Sequence, residues 1–223
     1  MVTKLKVGVL ASGDGSNLQA IIDRSLSGDL LVEVVCVITN RSAAFALERA
    51  KKHGITAHYL DYRDFSGREA YDVALVALLR SHGVELVVLA GFMRIITRVL
   101  LNAFPLAVMN VHPALLPSFP GLDAQRQALD HGVKVAGCTV HFVDEGTDTG
   151  PIIIQAAVPV LSDDTVETLS GRILIQEHQA YPEAIRLFAQ GRLKVEGRRV
   201  LISDEHHSPL AHASISLSKE LKR

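Results

Sequence analysis

Short runs of apolar residues alternate along the first half of the chain with segments whose apolar positions recur every three or four residues. The runs at 6–11, 31–39, 86–90 and 107–111 are apolar at consecutive positions, as strands buried on both faces are, and 56–60 is a weaker member of the set. Between them, 16–27, 43–53 and 66–82 have helical spacing, with Gly54 and Gly83 placed to stop the second and third. This alternation predicts an α/β fold: a Rossmann-like, mostly parallel twisted sheet with helices on both faces. After Pro105 the pattern changes. A proline-rich loop at 113–121 leads into a helix near 123–131, followed by strands at 134–143 and 152–160, expected to be antiparallel. The residues between them, Glu145-Gly146-Thr147-Asp148-Thr149-Gly150, are too many for a two-residue hairpin turn and read as an ordered loop that carries function. Asp163-Asp164-Thr165 opens a long helix that runs toward Gln190 and stops at Gly191.

Composition narrows the classes. A chain of 223 residues, 48% of them hydrophobic, suits one large α/β domain with at most a small appendage. Residues 203–223 lack an apolar period and are expected to form a mobile extension. Balanced charge, 23 basic against 24 acidic residues, gives no general pull toward nucleic acid, so an anionic ligand needs a local site. There is no hydrophobic signal core and no run of 18 uncharged apolar residues, which predicts a cytoplasmic protein without a membrane partner. Cys36 and Cys138 sit inside apolar strands and read as reduced core thiols. His206, His207 and His212 lack acidic or Cys partners at ligand spacing, so no metal site is expected.

Two segments carry chemistry. Gly13-Asp14-Gly15-Ser16-Asn17 follows a strand and opens a helix, so small residues let backbone N–H groups approach an anion such as phosphate at the helix's positive end. The dinucleotide fingerprint needs a glycine where Leu18 stands, and the lysine of the phosphate-loop pattern is missing, which weakens NAD and ATP readings. The plainer alternative is a tight turn with Ser16 as helix cap. The second segment is Asn110-Val111-His112-Pro113, with Asp148 downstream: an amide, an imidazole and a carboxylate able to hold an oxyanion, move a proton and set the proton donor's pKa.

Gly15-Ser16-Asn17-Leu18-Gln19-Ala20-Ile21-Ile22, Val88-Leu89-Ala90-Gly91-Phe92-Met93-Arg94-Ile95, Asn110-Val111-His112-Pro113-Ala114-Leu115-Leu116-Pro117 and Gly137-Cys138-Thr139-Val140-His141-Phe142-Val143 occur in an order that resembles the phosphoribosylglycinamide formyltransferase family, folate-dependent enzymes of purine synthesis. The resemblance runs from about residue 4 to 200 and makes 1–202 a formyltransferase domain. It implies transfer of a formyl group from the co-substrate 10-formyltetrahydrofolate to the amine of glycinamide ribonucleotide, without a metal, by a monomer or homodimer. It places the ribonucleotide at Gly15, Ser16, Asn17 and Glu177, although Glu177 reads plainly as a solvated helix carboxylate. It places the folate around Arg68, Met93, Arg94, Ile95, Ile96, Asn110, His141, Asp144, Glu145, Gly146, Thr147 and Asp148, held mostly by main chain, with Asn110, His112 and Asp148 catalytic. A carboxylate at Asp148 close to His112 would favour the imidazolium and raise its pKa.

The chain departs from the family pattern at two places. Asp14 stands where Asn is common, putting a negative charge beside the phosphate turn unless its side chain turns outward. Leu122-Asp123-Ala124-Gln125 replaces a His-containing segment. Three other readings compete. A formyltetrahydrofolate hydrolase usually carries an N-terminal regulatory domain, whereas the fold here begins within 10 residues; a methionyl-tRNA formyltransferase usually adds a C-terminal RNA-binding domain, for which the residues after Leu201 are too few. A noncatalytic nucleotide-sensing module would need the glycine-rich turn but not Asn110, His112 and Asp148.

Overall fold

A computed structural model describes residues 4–203; the expected extension at 203–223, with His206, His207 and His212, lies outside the described residues except for Ser203. Strands β1 (Leu5–Ala11), β2 (Val32–Thr39), β3 (Thr56–Tyr59), β4 (Leu86–Leu89) and β5 (Val108–His112) pair in parallel. Helices α1 (Ser16–Leu26), α2 (Phe45–Lys52), α3 (Arg68–Ser81) and α4 (Arg98–Ala103) connect them. After α5 (Ala124–Asp130), β6 (Val135–Phe142) turns antiparallel against β5, and β7 (Ile152–Pro159) antiparallel against β6. The long helix α6 (Val166–Ala189) is followed by the hairpin β8 (Leu193–Glu196) and β9 (Arg199–Ile202). Among the described residues the sheet has the order β3-β2-β1-β4-β5-β6-β7-β9-β8.

Most elements lie where the hydrophobic pattern puts them. α4 and the β8–β9 hairpin do not appear in that pattern, because six residues are too few to display a helical period and four too few to stand out as a strand. Thr165 caps α6 through the Thr168 N–H, and Asp164 takes both guanidinium nitrogens of Arg172, so the Asp163-Asp164-Thr165 signal marks a real helix start.

The sheet is covered on both faces. On one, Leu18, Ile21 and Ile22 of α1 and Leu169, Ile173 and Ile185 of α6 pack over Val7, Val9, Val88 and Met109. On the other, Leu75 and Leu79 of α3 and Leu100 of α4 cover Leu10, Ile38, Val87 and Val108. Each such side chain contributes about 1.5–3 kcal/mol by leaving water. The consequence for function is topological. β1 lies between β2 and β4, so the connections leaving these neighbouring strands diverge and open a crevice at their C-terminal ends, the usual ligand position in an open α/β sheet.

Candidate active site

Asn110 and His112 alternate on β5 with Met109 and Val111, which point into the α1/α6 core. The antiparallel neighbour β6 sets His141 directly opposite Asn110 in register. His141 Nδ1 lies 2.8 Å from the Phe142 carbonyl, which only accepts, so Nδ1 carries the proton and Nε2 accepts from the Asn110 amide at 3.3 Å. Burial lowers the His141 pKa from its usual 6.5, keeping that ring neutral. His112 is differently placed: Nε2 faces the Phe119 carbonyl at 2.8 Å and Nδ1 faces Asp148 Oδ2 at 3.3 Å. Both ring nitrogens face oxygen atoms. Asp148 Oδ2 also accepts the Gly121 N–H at 2.8 Å, and Oδ1 lies 3.8 Å from His141 Nε2.

Two loops therefore close on His112. The first half of the 113–121 loop is anchored to the sheet: the Thr139 hydroxyl donates to the Ala114 carbonyl at 2.7 Å and accepts the Leu116 N–H, while Gln155 donates to the Leu116 carbonyl. Its second half is held by His112 at the Phe119 carbonyl and by Asp148 at the Gly121 N–H, with Gln127 donating to the Pro120 carbonyl. The 144–150 loop is ordered as expected. Asp144 accepts from the Gly146 N–H and the Thr149 hydroxyl, Glu145 pairs with Arg98 at 2.6 Å, and Arg198 of the β8–β9 turn donates to the Thr149 carbonyl. Gly146 and Thr147 are exposed at its tip.

On the other side of the crevice, α1 begins without a side-chain cap and without an acidic residue in its first turn, leaving its first N–H groups available to an anion. Ser16 is the first helical residue rather than the cap; the cap is Gly15, left-handed at φ 74, where a Cβ would come within 2.9 Å of the Ala46 Cβ. Asp14 turns outward. Its carboxylate pairs with Arg49 at 2.9 Å, and Arg49 Nε donates to the Asp14 carbonyl, which offsets the negative charge beside the turn. Asn17 Nδ2 donates to Glu177 Oε2 at 2.7 Å, so Glu177 is no solvated helix carboxylate: it is buried, and burial raises its pKa above 4.5. Next to it stands a residue that sequence reasoning missed. His178 Nε2 and Asn17 Oδ1 are both buried without a partner, and burial followed by the Arg49 cation lowers the His178 pKa. The only sequence clue was adjacency in Gln176-Glu177-His178.

The segment after β4 divides its side chains. Met93 and Ile95 are 56% and 60% exposed, which offers an apolar face to a flat ligand, whereas Ile96 is buried in the α3/α4 core. Ile96 can therefore serve a ligand only through its backbone. Arg94 lays its guanidinium on the Tyr62 ring, 3.8 Å from the centroid. The segment ends on Asp72, a second missed residue, buried and accepting the Thr97 N–H; burial raises its pKa. Arg68, exposed at the start of α3, lines with Ser66, Gly67 and Thr97 a cleft of about 470 Å³.

Comparison with known proteins agrees with this fold. The sequence profile of the family described as Formyl transferase matches residues 5–185. Phosphoribosylglycinamide formyltransferase of Escherichia coli (strain K12) is 41% identical over 94% of this chain and 99% of its own length. The trifunctional purine biosynthetic protein adenosine-3 of Chironomus tentans is 47% identical over 88% of this chain, which spans only 14% of that longer protein. The crystal structure of glycinamide ribonucleotide transformylase 1 from Symbiobacterium toebii superposes with a TM-score of 0.90 at 56% identity, covering 92% of this chain and 96% of that one. The chain belongs to the formyl transferase family, among the phosphoribosylglycinamide formyltransferases.

Proposed function

We propose that this protein transfers the formyl group of 10-formyltetrahydrofolate to the amine of glycinamide ribonucleotide, giving formylglycinamide ribonucleotide and tetrahydrofolate, in cytoplasmic purine synthesis. The observation that carries this reading is the placement of Asn110, His112 and Asp148 between an uncapped helix start and an exposed apolar segment. The ribonucleotide phosphate docks on the N–H groups of Gly15, Ser16 and Asn17. Glu177 takes the ribose hydroxyls, and the unmet Asn17 Oδ1 and His178 Nε2 gain partners there. The folate lies along Met93 to Ile96, His141 and the 144–148 loop, with Arg68 at its acidic end.

The amine attacks the formyl carbon directly, so no enzyme nucleophile is needed once the two ligands are aligned. The carbonyl oxygen becomes negative. The Asn110 amide, oriented by His141, and the Nε2–H of His112 donate to it, each such donor being worth about 10²–10³-fold in rate. To do so, His112 exchanges the Phe119 carbonyl for the substrate oxygen. Asp148 balances the imidazolium and takes the proton shed by the attacking amine, directly or through water, and passes it on to the folate nitrogen as the bond between that nitrogen and the formyl carbon breaks.

The test is formyl transfer by the purified protein, followed by folate absorbance with and without glycinamide ribonucleotide. Turnover that requires the ribonucleotide supports the proposal. Turnover without it makes the protein a hydrolase, and none in either case leaves a binding module.

A further inference from the structure

We propose that Ser12 is a positioning residue that makes the phosphate turn and the folate segment one rigid unit, so that binding of either substrate prepares the site for the other. This rests on the functional reading above. Ser12 directly follows β1, immediately before the Gly13–Asn17 turn, and is 3% exposed. Its hydroxyl donates to Asn40 Oδ1 at 2.6 Å, beyond the end of β2, and accepts the Met93 N–H at 2.8 Å, beyond the end of β4. Its own N–H donates to the Gly91 carbonyl at 3.0 Å. Gly91, at φ 70, turns the chain so that its carbonyl and the N–H two residues on both face Ser12. One buried side chain thus ties the start of the ribonucleotide turn to the start of the folate segment, with Asn40 fixing the direction of its proton.

Ser12 spends its donor and its N–H on protein, so its effect on either ligand passes through the backbone it holds. Alanine at this position leaves the buried Asn40 Oδ1 and the part-buried Met93 N–H without the Ser12 hydroxyl, and the two segments then move independently. A ligand that orders one segment no longer prepays the ordering of the other, and that prepayment is what couples the two sites.

The experiment measures binding of glycinamide ribonucleotide by calorimetry, without and with saturating tetrahydrofolate, alongside steady-state kinetics and melting temperature. Tetrahydrofolate is expected to tighten ribonucleotide binding to the unmodified protein. In Ser12→Ala that tightening disappears and KM for both substrates rises about tenfold, with kcat changing less than about threefold. Ser12→Thr, which keeps the hydroxyl, restores coupling; Asn40→Ala, the variant to use should Ser12→Ala not fold, loses part of it. A Ser12→Ala protein that melts lower yet keeps both KM values and the coupling overturns the inference, as does absence of coupling in the unmodified protein. Failure of the unmodified protein to turn over refutes the functional reading instead, since coupling is read from binding alone.

Discussion

Phe119 turns its backbone carbonyl onto Nε2 of His112 at 2.8 Å, and does so from a left-handed conformation at φ 54. Such a conformation costs an aromatic residue about 1–2 kcal/mol. Asp148, on the other ring nitrogen, is left-handed too, at φ 54. The Phe119 contact on the proposed hydrogen-bond donor therefore stands on strained backbone, whereas aspartate adopts this conformation at lower cost.

His112→Ala should lower kcat by about 10²–10⁴-fold, the usual worth of general acid-base help, with circular dichroism unchanged. Asp148→Asn should behave similarly while binding glycinamide ribonucleotide almost as well as the parent. Either variant retaining near-full turnover in the folate assay removes that residue from the mechanism.

Glu177→Gln should separate stability from binding. Burial raises the carboxyl's pKa in the folded protein, so its ionised form is a cost at neutral pH, and the stability its neutral form provides is lost as pH rises through 4.5 toward the folded value. Gln removes that cost and can still accept from Asn17. The variant should melt higher at pH 7, with the difference closing below pH 4.5, while KM for the ribonucleotide rises about tenfold through loss of a charged acceptor. A lower melting temperature at pH 7 would contradict this account of Glu177.

His58 and His82 share a hydrogen bond between their Nε2 atoms at 2.8 Å, joining edge strand β3 to the end of α3. Burial, then the neighbouring His82, lowers the His58 pKa below 6.5. The unfolded chain then binds more protons than the folded one, so this contribution is present above pH 6.5 and is lost as pH falls through 6.5 toward the folded value. Denaturant unfolding at pH 7.5 and 5.5 should show a smaller acid loss in His58→Gln than in the parent; an equal loss would assign the acid sensitivity elsewhere.

Asp14→Asn should tighten the phosphate turn. The substitution removes a negative charge beside the turn and releases Arg49 from its ion pair. At a separation of about 6 Å in water the charge alone is worth about threefold in affinity, and the gain should fade at high salt. A ribonucleotide KM unchanged at low ionic strength would mean that the Arg49 pair already cancels Asp14 completely.

The central parallel strands were legible because burial on both faces makes them apolar at nearly every position, as in Val7-Gly8-Val9-Leu10, whereas the mostly exposed edge strand β3 gave a weaker signal. The site was legible only where its residues sit beside turn signals, as Gly15 and His112 do. Asn17 and Glu177 lie 160 positions apart, and their contact depends on how α1 packs against α6. Ser12 and Asp72 were invisible for a related reason: each acts by holding a distant backbone N–H, which has no sequence signature, and Asn40 acts only through the Ser12 hydroxyl. Leu193 and Val195 alternate with Lys194 and Glu196 in β8, a period of two over too few residues to stand out.

The reversal of strand direction between β5 and β6 divides the protein's evolutionary freedom. Asn110 and His141 face each other across an antiparallel ladder, so the orientation of the proposed oxyanion donor follows from sheet register. Residues 122–125 lie outside that ladder, so substitutions there leave the facing of Asn110 and His141 to the sheet.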